Sequence, residues 1–67
     1  MDKVLLKSIM KTHGDCNADL ASAINMSAPN FSTIWNGRAD FSLKRIKIIS
    51  KRYNLSAQQV YDIFIAN

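Results

Sequence analysis

Reactive side chains are scarce in this sequence: one cysteine, Cys16, one histidine, His13, and the two nearby carboxylates Asp15 and Asp19. A lone cysteine forms no internal disulfide, and one Cys with one His cannot furnish a four-ligand zinc site. His13 has no base or nucleophile partner and stands beside Gly14, where it reads as part of a helix end. Asp15 and Asp19 are four apart near a helix start, a place where the helix dipole favours acidic groups anyway. Cys16 reads as a small residue of the same capping region. These residues predict no enzymatic activity, no metal and no cofactor.

The polar and cationic residues carry more information. In "NMSAPNFSTIWNG", residues 25–37, the polar Asn30, Ser32 and Thr33 are interleaved with the apolar Phe31 and Ile34. Residues 38–52 then hold Arg38, Lys44, Arg45, Lys47, Lys51 and Arg52 against Asp40 alone, a net +5, while the rest of the chain sums to −1. Such a block on a near-neutral background is the footprint of a phosphate-binding surface. A merely solvated helix face is the plain alternative, and charge alone does not choose between them. Lys51 and Arg52 in particular read as solvated charges at a helix C-terminus, where the dipole favours cations.

The elements that must position these residues announce themselves by a repeated helix start. Met26-Ser27 precedes Phe31, Phe41-Ser42 precedes Ile46, and Leu55-Ser56 precedes Val60. Each Ser can accept hydrogen bonds from unpaired N–H groups of the first turn, and each flanking apolar pair can staple across it. Ser56 and Gln59 also fit a capping box. Three helices are therefore expected to start at about Ala28, Leu43 and Ala57. Apolar spacing at Leu5, Leu6, Ile9 and Met10 adds a helix from about Lys3 to Thr12, ended by Gly14. Leu20, Ala21 and Ile24 add another from about Asn17 to Ile24, with Asp15, Cys16 or Asn17 as its cap and Asn25 closing it in the left-handed conformation. The expected fold is all-α, five short helices in one domain of 67 residues, with a helix, a turn and a helix over about 17–35.

That size is near the lower limit for a chain folding alone without disulfides or metal, so an enclosed active site has little room. With 48% hydrophobic and 21% charged residues the chain is expected to fold rather than stay disordered. Charges interrupt the apolar residues of MDKVLLKSIMK, and no stretch approaches the roughly 20 apolar residues that span a bilayer. A cytoplasmic protein with no membrane partner is the expectation.

The run "ADLASAINMSAPNFSTIWNGRADFSLKRIKIISKRYNLSAQQV" resembles the lambda-repressor-like helix-turn-helix domain of phage Cro/repressor-type regulators. The likeness is carried by Leu20-Ala21, the Asn25-Met26 turn, Ser27, Asn36-Gly37, Ser42 and Asn54-Leu55-Ser56, over about 50 of the 67 residues. The tail looks most like small Cro-like proteins of temperate phages of Gram-positive bacteria. Two departures stand out: the family usually has Gly at the turn, and often a polar residue in place of Trp35, which is expected at the core or its edge.

The resemblance implies a sequence-specific transcriptional regulator, a repressor that sets its recognition helix in the major groove of double-stranded operator DNA. Ala28, Pro29, Asn30, Ser32 and Thr33 fall where the family places groove-facing residues. Asn30 can pair with adenine, Ser32 and Thr33 can hydrogen-bond bases, and Ala28 and Pro29 can pack on thymine methyls. Pro29 is tolerated because the first helical turn needs no N–H there. Asn17, Asn36, Arg38, Lys44 and Lys47 match or extend the phosphate-contacting positions. The family usually binds as a homodimer, and Ile48, Tyr61 and Ile65, lying off the core stripes, are the candidate interface. No small-molecule ligand is implied. The alternative is an antirepressor or modulator that uses the same fold to bind a cognate phage repressor, for which the apolar Ala28 and Pro29 are suited.

Overall fold

All three serine-led helix starts form where the spacing predicts them. The structure is a computed structural model and describes residues 1–66. Its elements are α1 (Lys3–Thr12), α2 (Asn17–Ala23), α3 (Ala28–Trp35), α4 (Leu43–Arg52) and α5 (Ala57–Val60), the last continuing into a π-helical turn at Tyr61–Ile65. No strand occurs among the described residues. Ser27 accepts from the Asn30 N–H at 3.3 Å, Ser42 from the Arg45 N–H at 3.3 Å and Ser56 from the Gln59 N–H at 3.1 Å. The Ser56 N–H in turn donates to Gln59 Oε1 at 2.8 Å, which completes the capping box. Asp2 caps α1 by accepting from the Leu5 N–H at 3.0 Å, and Cys16 is the residue that caps α2, its N–H donating to Asp19 Oδ2 at 2.9 Å.

Helix ends repeat a single device. Gly14, Asn25, Gly37 and Asn54 all have positive φ, at 75°, 57°, 82° and 52°. In each case the next residue's N–H reaches back five residues to a helix carbonyl: Asp15 to Met10, Met26 to Ala21, Arg38 to Thr33 and Leu55 to Ser50. These are Schellman closures, which satisfy carbonyls that the helix leaves unpaired. Asn performs at two of them the task that Gly performs at the other two.

The capped helices bury one face each. Leu6, Met10, Leu20, Ile24, Ile49 and Ile63 are the largest fully buried side chains, each drawn from the apolar stripe of its helix. Phe31 and Ile34 of α3 are buried as their spacing predicts, and Trp35 is half-buried at the core edge. An aromatic row runs from Trp35 through Phe31 and Phe41 to Phe64, with successive ring centroids 5.6, 5.9 and 6.2 Å apart. It joins α3 to the loop before α4 and to the C-terminal turn, and so fixes the orientation of α3. The Asp2 N–H closes the bundle by donating to the Ile63 carbonyl at 2.7 Å. The result is a compact all-helical domain with a radius of gyration of 10.8 Å.

Candidate nucleic-acid interface

The turn between α2 and α3 has the length it has because Asn25 ends one helix and Ser27 caps the next, two positions later. With Phe31 and Ile34 anchored in the core, the opposite face of α3 must point outward. Ala28, Pro29, Asn30, Ser32 and Thr33 are all exposed. Pro29 lies in the first turn, where its missing N–H breaks no helical bond.

Hydrogen bonding separates these residues. The Asn30 side chain has no partner among the described residues, so its carbonyl oxygen and amide hydrogens are all free for an outside partner. The Thr33 hydroxyl donates to the Pro29 carbonyl at 3.0 Å, which leaves it an acceptor with an outward methyl. Ser32 Oγ accepts from Asn36 Nδ2 at 3.4 Å and keeps its own proton for an outside acceptor.

Arg38 follows α3 by three residues, and Lys44 and Lys47 lie in the first turns of α4. All three are exposed and none forms an ion pair among the described residues. Arg45 is half-buried, and its Nε is shielded from solvent without a hydrogen-bond partner. Arg52 departs from the reading as a solvated charge. Its Nε and Nη2 bind both oxygens of Asp15, at 2.8 and 3.0 Å, because the C-terminus of α4 packs against the loop joining α1 to α2. The Tyr53 hydroxyl adds a 2.6 Å bond to the same carboxylate. The guanidinium bonds first, and the Tyr53 bond second, hold Asp15 below the usual carboxylate range. Burial, then the bond to Asp15, pushes the Tyr53 phenol up to about 12. Arg52 is thus a structural clamp, and the free cations of the basic block are the residues nearer α3, together with exposed Lys51.

Asn17 is half-buried, and its Oδ1 accepts from Lys7 Nζ at 2.7 Å. Lys7 also stands 5.8 Å from the centroid of the Trp35 ring. The neutral position expected to meet phosphate therefore comes with a cation from α1. The four-residue spacing of Lys3, Lys7 and Lys11 is the sequence signal for this α1 stripe, which lies outside the basic block at 38–52.

The three candidate interface residues do not share one groove. Ile48, 37% exposed, lies in a shallow depression with Ala23, Lys51 and Arg52. Tyr61 and Ile65 are exposed on the C-terminal turn. Leu43 and Val4, 69% and 82% exposed, are larger apolar exposures than the sequence patterns single out. Among the described residues no three His, Cys, Asp or Glu side chains are grouped to hold a metal, and no helix is long and apolar enough to cross a membrane.

The chain matches no protein-family model, no curated protein and no solved structure.

Proposed function

We propose that this protein is a non-enzymatic, sequence-specific DNA-binding regulator of transcription, a Cro-like repressor with a lambda-repressor-like fold. It acts in the cytoplasm and lays α3 in the major groove of operator DNA. The observation that carries this reading is the outward face of α3, where an unpartnered Asn30 stands between small side chains, followed in the chain by the unpaired cations Arg38, Lys44 and Lys47. An Asn side chain can pair with adenine through N6 and N7, which gives sequence information. The cations grip phosphate, which sets register and affinity without specifying bases. Asn17, through its free amide group, and Asn36 extend the backbone contacts on either side of α3.

Two copies on a pseudo-palindrome place their α3 helices about one turn of DNA apart, roughly 34–36 Å. Tyr61 and Ile65 are the apolar surface for that dimer, with Ile48 as a separate contact. Binding-site selection from random duplex DNA tests the reading directly. The expected product is a two-fold symmetric motif containing A·T pairs, bound in a salt-sensitive complex. Recovery of no enriched motif, with no salt-sensitive complex on the protein's own promoter region, overturns it. The exposed Ala28-Pro29 leading edge supports the second reading, an antirepressor that docks on a phage repressor; that outcome predicts a complex with repressor protein and none with DNA.

A further inference from the structure

Away from α3's outward face, the outer side of α1 forms a groove of about 520 Å³ lined by Lys3, Val4, Lys7, Ser8, Lys11 and Trp35. Its lining combines two chemistries, apolar side chains and lysines. Val4 is 82% exposed and the Trp35 indole is half-buried, so the apolar part of the lining is open to a partner. The lysines carry three ammonium groups spaced four residues apart, a stripe about 12 Å long at the α-helical rise. No carboxylate lines it. Lys7 is held by Asn17 and by the Trp35 ring, while Lys3 and Lys11 make no ion pair among the described residues.

We propose that this groove docks a short acidic amphipathic helix from a protein partner. Carboxylates of that helix pair with Lys3, Lys7 and Lys11, and its aliphatic side chains cover Val4 and Trp35. Both halves of the site find their complement in such a partner. A phosphate backbone would satisfy the lysines alone and gain nothing from the apolar side chains, whereas an apolar helix without acids would leave the lysines unpaired against it. An amphipathic helix laid in a groove contributes anchors at i, i+3, i+4 and i+7, a spacing that fits a four-residue cation repeat. Lys7 adjoins Asn17, the position assigned to phosphate, so peptide binding is measured without DNA and duplex binding in a separate titration.

Trp35 is the only tryptophan, which makes its fluorescence a local reporter. The probe is a synthetic helix of glutamate and leucine of about 14 residues, roughly 21 Å long, with leucines on one face. A peptide of the same composition in scrambled order is the control. Saturable change of Trp35 emission with the amphipathic peptide, and a much weaker response to the scrambled one, is expected. Val4→Asp, and separately the pair Lys3→Glu with Lys11→Glu, should each weaken binding about tenfold or more, the loss typical of a central anchor. Circular dichroism of each variant checks that the helices remain. Equal binding of the scrambled peptide, or affinity unchanged in the variants, overturns the proposal. So does a titration with random-sequence duplex DNA in which the lysine pair lowers the salt slope by about 2 while peptide binding stays absent, since the groove is then a phosphate surface.

Discussion

The Thr33 hydroxyl donates its proton to the Pro29 carbonyl at 3.0 Å, one turn back along α3. Thr33 consequently meets a partner with a methyl group and an acceptor oxygen, and not with a donor. Thr33→Val keeps the methyl shape and should change operator affinity by less than about threefold, under 1 kcal/mol. Thr33→Ser keeps the hydroxyl but loses the methyl, and should cost more than Thr33→Val. Paired titrations of both variants on the selected operator decide it; the reverse order would mean that the hydroxyl is reoriented to a base.

Asn30 is unpartnered on the outward face of α3, so under the proposed function its loss should affect discrimination and not grip. Asn30→Ala should lower operator affinity by about 1–3 kcal/mol, the value of one good bidentate base contact, with affinity for scrambled duplex unchanged. The ratio of the two affinities is the measurement. An unchanged ratio removes Asn30 from the reading face.

Arg38, Lys44 and Lys47 should behave in the opposite way. Removing one cation from a phosphate reduces the slope of log affinity against log salt by about 0.9, so the triple alanine variant should lower the slope by between about 2 and 3 on any sequence. Arg52→Ala, although drawn from the same basic block, should leave the slope alone, because its charge is already committed to Asp15. A drop in slope for Arg52→Ala comparable to that of Lys44→Ala would contradict this division.

That division shows where sequence patterns run out. Ser27, Ser42 and Ser56 are legible as helix starts because capping exchanges one side-chain oxygen for an orphan N–H three residues away. Phe31 and Ile34 are legible as buried because helical period assigns a face. Period does not say which neighbour meets that face, so the Arg52–Asp15 pair, 37 residues apart, and the Lys7–Asn17 bond between helices are not visible in it. The π-helical turn at Tyr61–Ile65 has no local signature either, since its wider hydrogen bonding answers to how the C-terminus packs.

The turn before α3 offers a test of backbone chemistry. Asn25 has φ of 57°, a left-handed conformation that costs an ordinary L-residue about 1–2 kcal/mol. Asn25→Ala should destabilise the domain by about 1 kcal/mol, whereas Asn25→Gly, which takes the left-handed conformation without a Cβ penalty, should be neutral or slightly stabilising. Thermal unfolding of the two variants beside the parent chain measures the difference. Equal destabilisation in both would place the importance of Asn25 in its side chain instead.

The Tyr53–Asp15 bond predicts a stability difference confined to a pH window. The Tyr53 phenol titrates at about 12 in the folded chain, against about 10 when unfolded. Between those values the folded state holds a proton that the unfolded state has lost, so the stability linked to the raised value, from burial first and the Asp15 bond second, is full below about pH 10 and disappears as pH rises towards 12. Asp15 works in the other direction. Its folded value lies below the ordinary one, so its contribution is present above about pH 4 and is lost as pH falls through the folded value. Tyr53→Phe removes a bond to a carboxylate and should cost about 1–2 kcal/mol at neutral pH. The gap in unfolding free energy between parent and variant should stay wide from about pH 5 to 9 and close at both ends. Denaturant titrations at acid, neutral and alkaline pH provide the comparison. A gap that persists to pH 12 would show that the cost of Tyr53→Phe is lost packing and not the buried, hydrogen-bonded phenol, because packing carries no proton and has no reason to follow pH.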